Sequence, residues 1–132
     1  MAKLQSYRHL PAFILILLAR ENLYGAALLN TMKQEMPFFF NTDLSLIYRV
    51  LQDLESIGAV TYYWETDTSG PARKWYQITS IGFEKLAEYK EDIEKRMKNF
   101  VFFMDQYEIL KVKAADPKYQ TDTKNQELRA RS

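Results

Sequence analysis

The chain has 132 residues, enough for one domain with its own core and too few for two ordinary ones. It contains no cysteine, which excludes a disulfide scaffold and a thiolate metal site and fits a reducing, cytoplasmic compartment. The formal net charge is only +1, which argues against a strong nonspecific binder of nucleic acid.

The first predicted helix covers residues 10–20, with Pro11 in its first turn, where the missing N–H costs nothing. Its apolar run, residues 12–19, is much shorter than the ~20 residues that span a bilayer. We therefore predict a buried core helix that packs against its own domain and a second subunit, with no role in a membrane.

A second helix is predicted over residues 25–35, after a turn at residues 21–25. Pro37 ends it, and the connector Phe38–Phe40 either fills the gap between helices or forms an exposed aromatic patch. One of the polar residues that follow then caps the next helix, and the candidates are Asn41, Thr42 and Asp43.

The third predicted helix, residues 43–57, has its apolar residues at spacings of three and four. Gly58 follows it, where a helix end favours a left-handed glycine. Two β-rich runs come next, residues 60–65 and 74–79, separated by turn-forming residues. A helix that leads directly into a β-hairpin predicts a winged helix-turn-helix, which places that helix in the DNA major groove.

A long helix is predicted over residues 80–111 because apolar residues recur every seven positions. About 30 residues at 1.5 Å each make a helix of about 45 Å, longer than so small a domain can cover. We expect its second half to pair with the same helix of a second subunit. The predicted dimerisation residues are Leu86, Ile93, Met97, Phe100, Met104 and Tyr107.

These elements predict a mainly α fold with a small β-hairpin, divided into three parts. Residues 1–82 form the winged helix-turn-helix domain, and residues 83–111 form the dimerisation helix. Residues 112–132 form a polar, disordered tail. Residues 1–82 carry seven Lys and Arg against seven Asp and Glu, so DNA binding must rest on a few placed cations.

The late part of the last helix is richer in aromatic residues and Met than a usual coiled-coil seam. One interpretation is a site for a small planar apolar effector, lined by Phe100, Phe103, Met104 and, from the first helix, Leu15. The alternative is a packed helix interface without a cavity.

Residues 24–82 resemble the PadR family of bacterial transcriptional regulators. The segment 47–58, IYRVLQDLESIG, is similar to the family pattern Leu-Tyr-x-x-Leu-x-x-Leu-Glu-x-x-Gly. The segment 70–79, GPARKWYQIT, is similar to the wing pattern Gly-Pro-x-Arg-Lys-x-Tyr-x-Leu-Thr. Tyr24-Gly25 and Ser80-Ile81-Gly82 complete the match.

The resemblance implies a dimeric winged-helix repressor of detoxification, efflux or stress genes, of the subfamily with a single C-terminal helix. The family usually has Gly-Thr before the Leu-Tyr of the recognition helix, where this chain has Ser45-Leu46. A contact through that Thr is therefore not expected, and the operator sequence is expected to differ.

The candidate DNA-binding residues lie on the polar face of the third helix and on the second strand of the hairpin. Arg pairs with guanine or holds phosphate, Gln reads adenine, and Tyr and Ser more often hold phosphate; a merely solvated polar face is the alternative. One of the two wing cations is expected to meet DNA while the other bridges Glu65 or Asp67. The candidates are Ser45, Tyr48, Arg49, Gln52, Arg73 and Lys74.

Two functions from different classes are compatible with the sequence. The first is a homodimeric repressor that binds double-stranded operator DNA. The second is a winged-helix module that binds proteins and not DNA, and the neutral charge of residues 1–82 keeps this alternative open. No nucleophile motif, acid/base pair or metal-ligand cluster is visible, so we expect neither an enzyme nor a cofactor.

Overall fold

The computed structural model describes residues 9–36, 42–66 and 69–118. Its helices are α1 (Leu10–Arg20), α2 (Gly25–Glu35), α3 (Leu44–Ser56) and α4 (Ser80–Ala114), and its strands are β1 (Leu23–Tyr24), β2 (Val60–Glu65) and β3 (Arg73–Ile78). The predicted fold class is confirmed: three helices and a β-hairpin form a winged helix-turn-helix, followed by one long helix.

Helix α3 buries the face that its apolar spacing predicts, with Ile47, Val50, Leu51 and Leu54 in the core. Of the three candidate caps, Asp43 is the one observed, because its carboxylate accepts a hydrogen bond from the backbone N–H of Leu46 at 2.8 Å. The helix ends before Gly58, whose φ of 80° is the left-handed conformation expected there.

The sheet has a third strand that the sequence analysis assigned to a turn. Leu23 and Tyr24 pair antiparallel with Tyr76 and Trp75, so the strand order is β1-β3-β2. The chain leaves α1 at Glu21 in an extended conformation, with φ −167° and ψ 159°, which continues naturally into a strand. Strand β1 thereby covers an edge of β3 that would otherwise leave backbone groups unpaired.

The start of α4 is fixed against the end of α3 by Thr79. Its hydroxyl donates to the carbonyl of Gly58 at 2.6 Å and accepts from the N–H of Gly82 at 3.1 Å. Gly82 must lack a side chain, because a Cβ there would meet the carbonyl oxygen of Ala59 and the side chain of Ile78. The Thr-x-x-Gly motif therefore combines a helix cap with a close approach of two backbones.

The chain divides into two compact units, Met1–Glu91 and Asp92–Ser132. The first turns of α4 belong to the first unit, since Leu86 and Tyr89 pack against its core. The predicted boundary, at residue 82, lies earlier. Leu86, which was predicted to lie in the dimer seam, is half-buried against its own chain.

Helix α4 continues to Ala114, so residues 112–114, which were assigned to the tail, are helical. Lys111 and Lys113 lie in its last turn, where cations stabilise the negative end of the helix dipole. The rest of the tail after residue 118 and the connector Phe38–Phe40 lie outside the described residues. None of the helices that the structure describes is both long enough and apolar enough to cross a bilayer.

Candidate nucleic-acid interface

The polar face of α3 carries four of the predicted contacts. Ser45, Tyr48, Arg49 and Gln52 are all exposed, on the side opposite the buried apolar face. Arg49 forms no ion pair or hydrogen bond with any residue that the structure describes. Its guanidinium is therefore available to a partner outside the chain.

Tyr48 is placed by the first residue of α2. A Cβ built on Gly25 would lie only 2.6 Å from Cε1 of Tyr48, so the phenol ring occupies the space that a side chain would need. The Tyr24-Gly25 pair thus joins the N-terminus of α2 to the exposed face of α3. The opposite end of α2 is held differently, by an ion pair between Glu35 and Arg20 with an N–O distance of 2.8 Å.

The two wing cations point to opposite faces of the sheet, as strand alternation predicts. The Arg73 guanidinium lies over the ring of Tyr24, 4.7 Å from its centroid. The Lys74 ammonium lies on the other face, 3.8 Å from the ring centroid of Tyr62. Both cations are in contact with aromatic rings, which attract them electrostatically.

The predicted bridge between a wing cation and Glu65 is not observed. The Glu65 carboxylate instead accepts a hydrogen bond from the indole N–H of Trp75 at 2.6 Å. Both side chains lie on the same face of the β2–β3 hairpin because Glu65 pairs with Arg73 and Tyr63 pairs with Trp75. The acid opposite Lys74 is Glu55 of α3, at 4.0 Å, and Asp67 lies outside the described residues.

A cleft of about 500 Å³ lies between the exposed face of α3 and the wing. It unites four of the six predicted DNA-binding residues, whereas Ser45 and Arg49 do not line it. Its walls come from α3, from both strands of the wing and from the end of β1. The lining residues are Tyr24, Tyr48, Gln52, Glu55, Trp64, Ala72, Arg73, Lys74 and Tyr76.

Sequence reasoning missed Tyr24, Glu55 and Trp64 as members of this site. Trp64 is 55% exposed and pairs with Lys74 across the hairpin. Tyr24 could have been found from the Tyr-Gly motif, since a glycine at a helix start indicates a close neighbour. Nothing in the local sequence signals that Glu55 approaches the wing.

Tyr76, Glu35 and Arg20 have displaced pKa values. Burial raises the pKa of the Tyr76 phenol, and the nearby Lys74 ammonium only partly opposes this effect. The hydrogen bond and charge of Arg20 lower the pKa of Glu35, and Glu35 raises the pKa of Arg20 in turn. The residues that the structure describes contain no group of three side chains able to hold a metal ion.

In the second unit, α4 carries many exposed apolar side chains. Phe100 is 65% exposed, and Met97, Met104 and Tyr107 are also exposed, whereas Ile93 is half-buried. Apolar residues outside the seven-residue repeat are exposed as well: Val101, Phe102, Ile109 and Val112.

The predicted effector site divides between the two units. Phe103 and Met104 are exposed, and the ring of Phe103 stacks on that of Tyr107 with 6.4 Å between centroids. Leu15, by contrast, is fully buried in the core of the first unit, so its side chain is not available to a ligand. The exposed apolar residues of α1 are instead Phe13 and Ile16.

The model of the PadR-like family of transcriptional regulators matches residues 14–88. A protein of Lysinibacillus sphaericus, described only as uncharacterized protein X, is 30% identical over 80 residues, which cover 61% of this chain and 73% of that protein. A transcriptional regulator from Clostridium thermocellum has a similar fold, with a TM-score of 0.66 and 22% identity over 72% of this chain and 92% of that one.

The chain is also similar to Bacillus subtilis PadR, whose structure was solved in complex with operator DNA. The TM-score is 0.58 and the identity 25%, over 83% of this chain and 72% of that one. The family comprises transcription regulators and not enzymes. Because the family model covers more than half of the chain, and the fold agrees with solved members, this protein belongs to the PadR-like family of transcriptional regulators.

Proposed function

We propose that this protein is a homodimeric repressor in the cytoplasm that binds double-stranded operator DNA through α3 and the wing. The observation that carries the proposal is the cleft in which Tyr48 and Gln52 of α3 meet Arg73 and Lys74 of β3. A relative of the same fold has been crystallised on operator DNA. The usual geometry of winged helices supports a mode in which α3 enters the major groove and the hairpin lies beside the flanking DNA backbone.

Within this mode five of the six candidate residues divide by chemistry. Arg49 and Gln52 carry the donors that read base edges, Arg49 at guanine and Gln52 at adenine. Ser45 and Tyr48 carry hydroxyl groups that hold phosphate, and Arg73 supplies a cation to the backbone beside the groove. Because residues 1–82 have no net charge, a single copy of this domain contributes little nonspecific electrostatic attraction to DNA.

The proposed dimerisation is supported by the exposed apolar residues of α4. Side chains as large and apolar as Phe100, Phe103 and Tyr107 are more than half exposed in the single chain. A contiguous apolar surface of this kind is typical of a protein interface. Pairing of two α4 helices would cover this surface, and the resulting dimer would carry two copies of α3, one for each of two half-sites about 34 Å apart on DNA.

The regulated genes are proposed to belong to detoxification, efflux or stress responses, as in relatives of this family. A planar apolar effector that enters the dimer interface beside Phe100, Phe103 and Met104 would relieve repression. Such an effector must prefer one spacing of the recognition helices, because equal affinity for both spacings shifts nothing. Titration of planar aromatic cations and phenolic acids, following heat and operator release together, tests this part.

The DNA-binding proposal is tested by fluorescence anisotropy with the DNA upstream of the protein's own gene and with a shuffled sequence of equal length. We expect tighter binding to the upstream DNA, and an affinity that falls steeply as salt rises from 50 to 200 mM, as counterion release predicts. Absence of binding at low salt would instead support a winged-helix module that binds proteins.

A further inference from the structure

The Lys74 ammonium is held on the wing by contacts within the protein. It lies 3.8 Å from the ring centroid of Tyr62, 5.4 Å from that of Tyr76 and 5.9 Å from that of Trp64. The Glu55 carboxylate is its anionic neighbour, with an N–O distance of 4.0 Å. Lys74 therefore lies in a niche of three rings, closed on the α3 side by one acid.

The ion pair in this niche is weak. Its N–O separation is at the outer limit for an ion pair, and the side chains of Lys74 and Glu55 remain 28% and 36% exposed. Partly exposed pairs of this kind contribute little, because water screens the charges and two flexible side chains must be ordered. A phosphate group, a charge-assisted acceptor with several oxygens, can compete with such a carboxylate for the ammonium.

The position of Glu55 makes that competition relevant to DNA. Glu55 lines the same cleft as Gln52 of α3 and Arg73 of the wing. An acid at a surface that receives a polyanion opposes binding directly, and it also holds a cation that could otherwise meet phosphate. The other wing cation, Arg73, has no acidic partner among the described residues and lies over Tyr24.

We propose that Glu55 limits the DNA affinity of this protein by competing with phosphate for Lys74. In the free protein the Lys74 ammonium lies between Tyr62 and Glu55. In the complex it moves away from Glu55 and contacts a phosphate of the DNA backbone. The inference rests on the proposed DNA binding and adds a residue that sets its strength. The proposal also explains why an acidic side chain of the protein lies beside one of the cations of the DNA interface.

The test is a double-mutant cycle with Glu55→Gln and Lys74→Gln, measured on the upstream DNA over a series of salt concentrations. Glu55→Gln in the wild-type background should tighten binding roughly two- to fivefold, the range of a weak surface ion pair. The slope of log affinity against log salt should stay close to the wild-type slope, because Lys74 neutralises one phosphate in both complexes. In the Lys74→Gln background the gain should shrink and the slope should not change.

Asp53→Asn is the matched control, since it removes an acid from the same helix that has no ion pair with Lys74 among the described residues. Its effect should be the same in both backgrounds. Weaker binding by Glu55→Gln, together with a lower melting temperature, would overturn the proposal, because the Lys74–Glu55 ion pair would then serve to stabilise the wing. An equal gain in both backgrounds would also overturn it, because Glu55 would then act only through its charge. A wild-type protein that binds no DNA at low salt would instead refute the proposed function itself.

Discussion

In the proposed interface, Arg49 is the side chain best suited to recognise a DNA base. It is exposed on α3 and has no ion pair with any described residue, so its removal costs the fold little. We expect Arg49→Ala to weaken operator binding by about 1–3 kcal/mol and to relax specificity at one base position. Arg73→Ala should weaken binding to all sequences alike, since a phosphate contact carries no sequence information.

Lys33→Ala is the control for both variants, because it removes one positive charge from an exposed position near the end of α2 that lies away from Gly25. Competition binding with a set of operators changed at single positions separates the two effects. Unchanged specificity in Arg49→Ala would remove Arg49 from the base-reading residues. If Lys33→Ala lost as much affinity as Arg73→Ala, the effect of Arg73 would be one of net charge and not of a wing contact.

Tyr76 predicts how stability responds to alkaline pH. Burial raises the pKa of its phenol above the unfolded value of about 10, so the folded state favours the neutral form. Its contribution to stability is therefore fully present below pH 10 and is lost as the pH rises through the folded pKa. Urea unfolding between pH 8 and pH 11 should show a smaller decline for Tyr76→Phe than for the wild type. Parallel declines in the two proteins would show that other groups govern alkaline unfolding.

At the level of elements, the junction between the wing and α4 depends on the Thr79 hydroxyl. Replacing Thr79 by Ala leaves the carbonyl of Gly58 and the N–H of Gly82 without their partner. We expect a loss of about 1–2 kcal/mol in the free energy of unfolding, with much of it restored by Thr79→Ser. Ser56→Ala, which removes a hydroxyl at the exposed end of α3, should change stability by less than about 0.5 kcal/mol. Equal effects of the Thr79→Ala and Ser56→Ala variants would contradict the assigned role of Thr79.

The helices could be predicted because their signals are local. The apolar spacing of α3, its cap at Asp43 and the glycine at residue 58 all lie within one continuous segment. Strand β1 could not be predicted, because two residues have no period of their own and pair only with the distant β3. The end of α4 was predicted at residue 111, before its actual end at Ala114, because the apolar repeat stops before the helix does.

The sequence predicted several residues of the candidate site, but the contacts between these residues were harder to predict. Strand alternation places Arg73 and Lys74 on opposite faces, but it does not tell which acid each approaches. Glu55 meets Lys74 because α3 packs beside the sheet, and Glu65 is taken by the indole of Trp75. Leu86 follows the seven-residue repeat of α4 yet packs on its own core, since a repeat cannot say which surface covers it.

For the whole molecule, the proposed dimer predicts a sharp response to charge on α4. Phe100→Glu would place a carboxylate in the apolar seam, where burying an unpaired charge is costly. We expect sedimentation to show monomer or unfolded protein, and operator binding to be lost with it. Gln106→Glu, which adds the same charge at a polar position outside the repeat, should remain dimeric. A wild-type protein that stays monomeric at micromolar concentration would end the two-half-site mode of binding.

The central claim, that α3 and the wing contact the operator together, can be tested by cleavage of bound DNA from single positions. The chain has no cysteine, so one introduced cysteine carries a DNA-cleaving iron chelate to one place only. Ser45→Cys on α3 and Ser69→Cys on the wing should each cut upstream DNA at two sites, about 34 Å apart between half-sites. Gln34→Cys, near the far end of α2, should leave the DNA intact. Cleavage from Gln34→Cys with none from Ser45→Cys or Ser69→Cys would contradict the account.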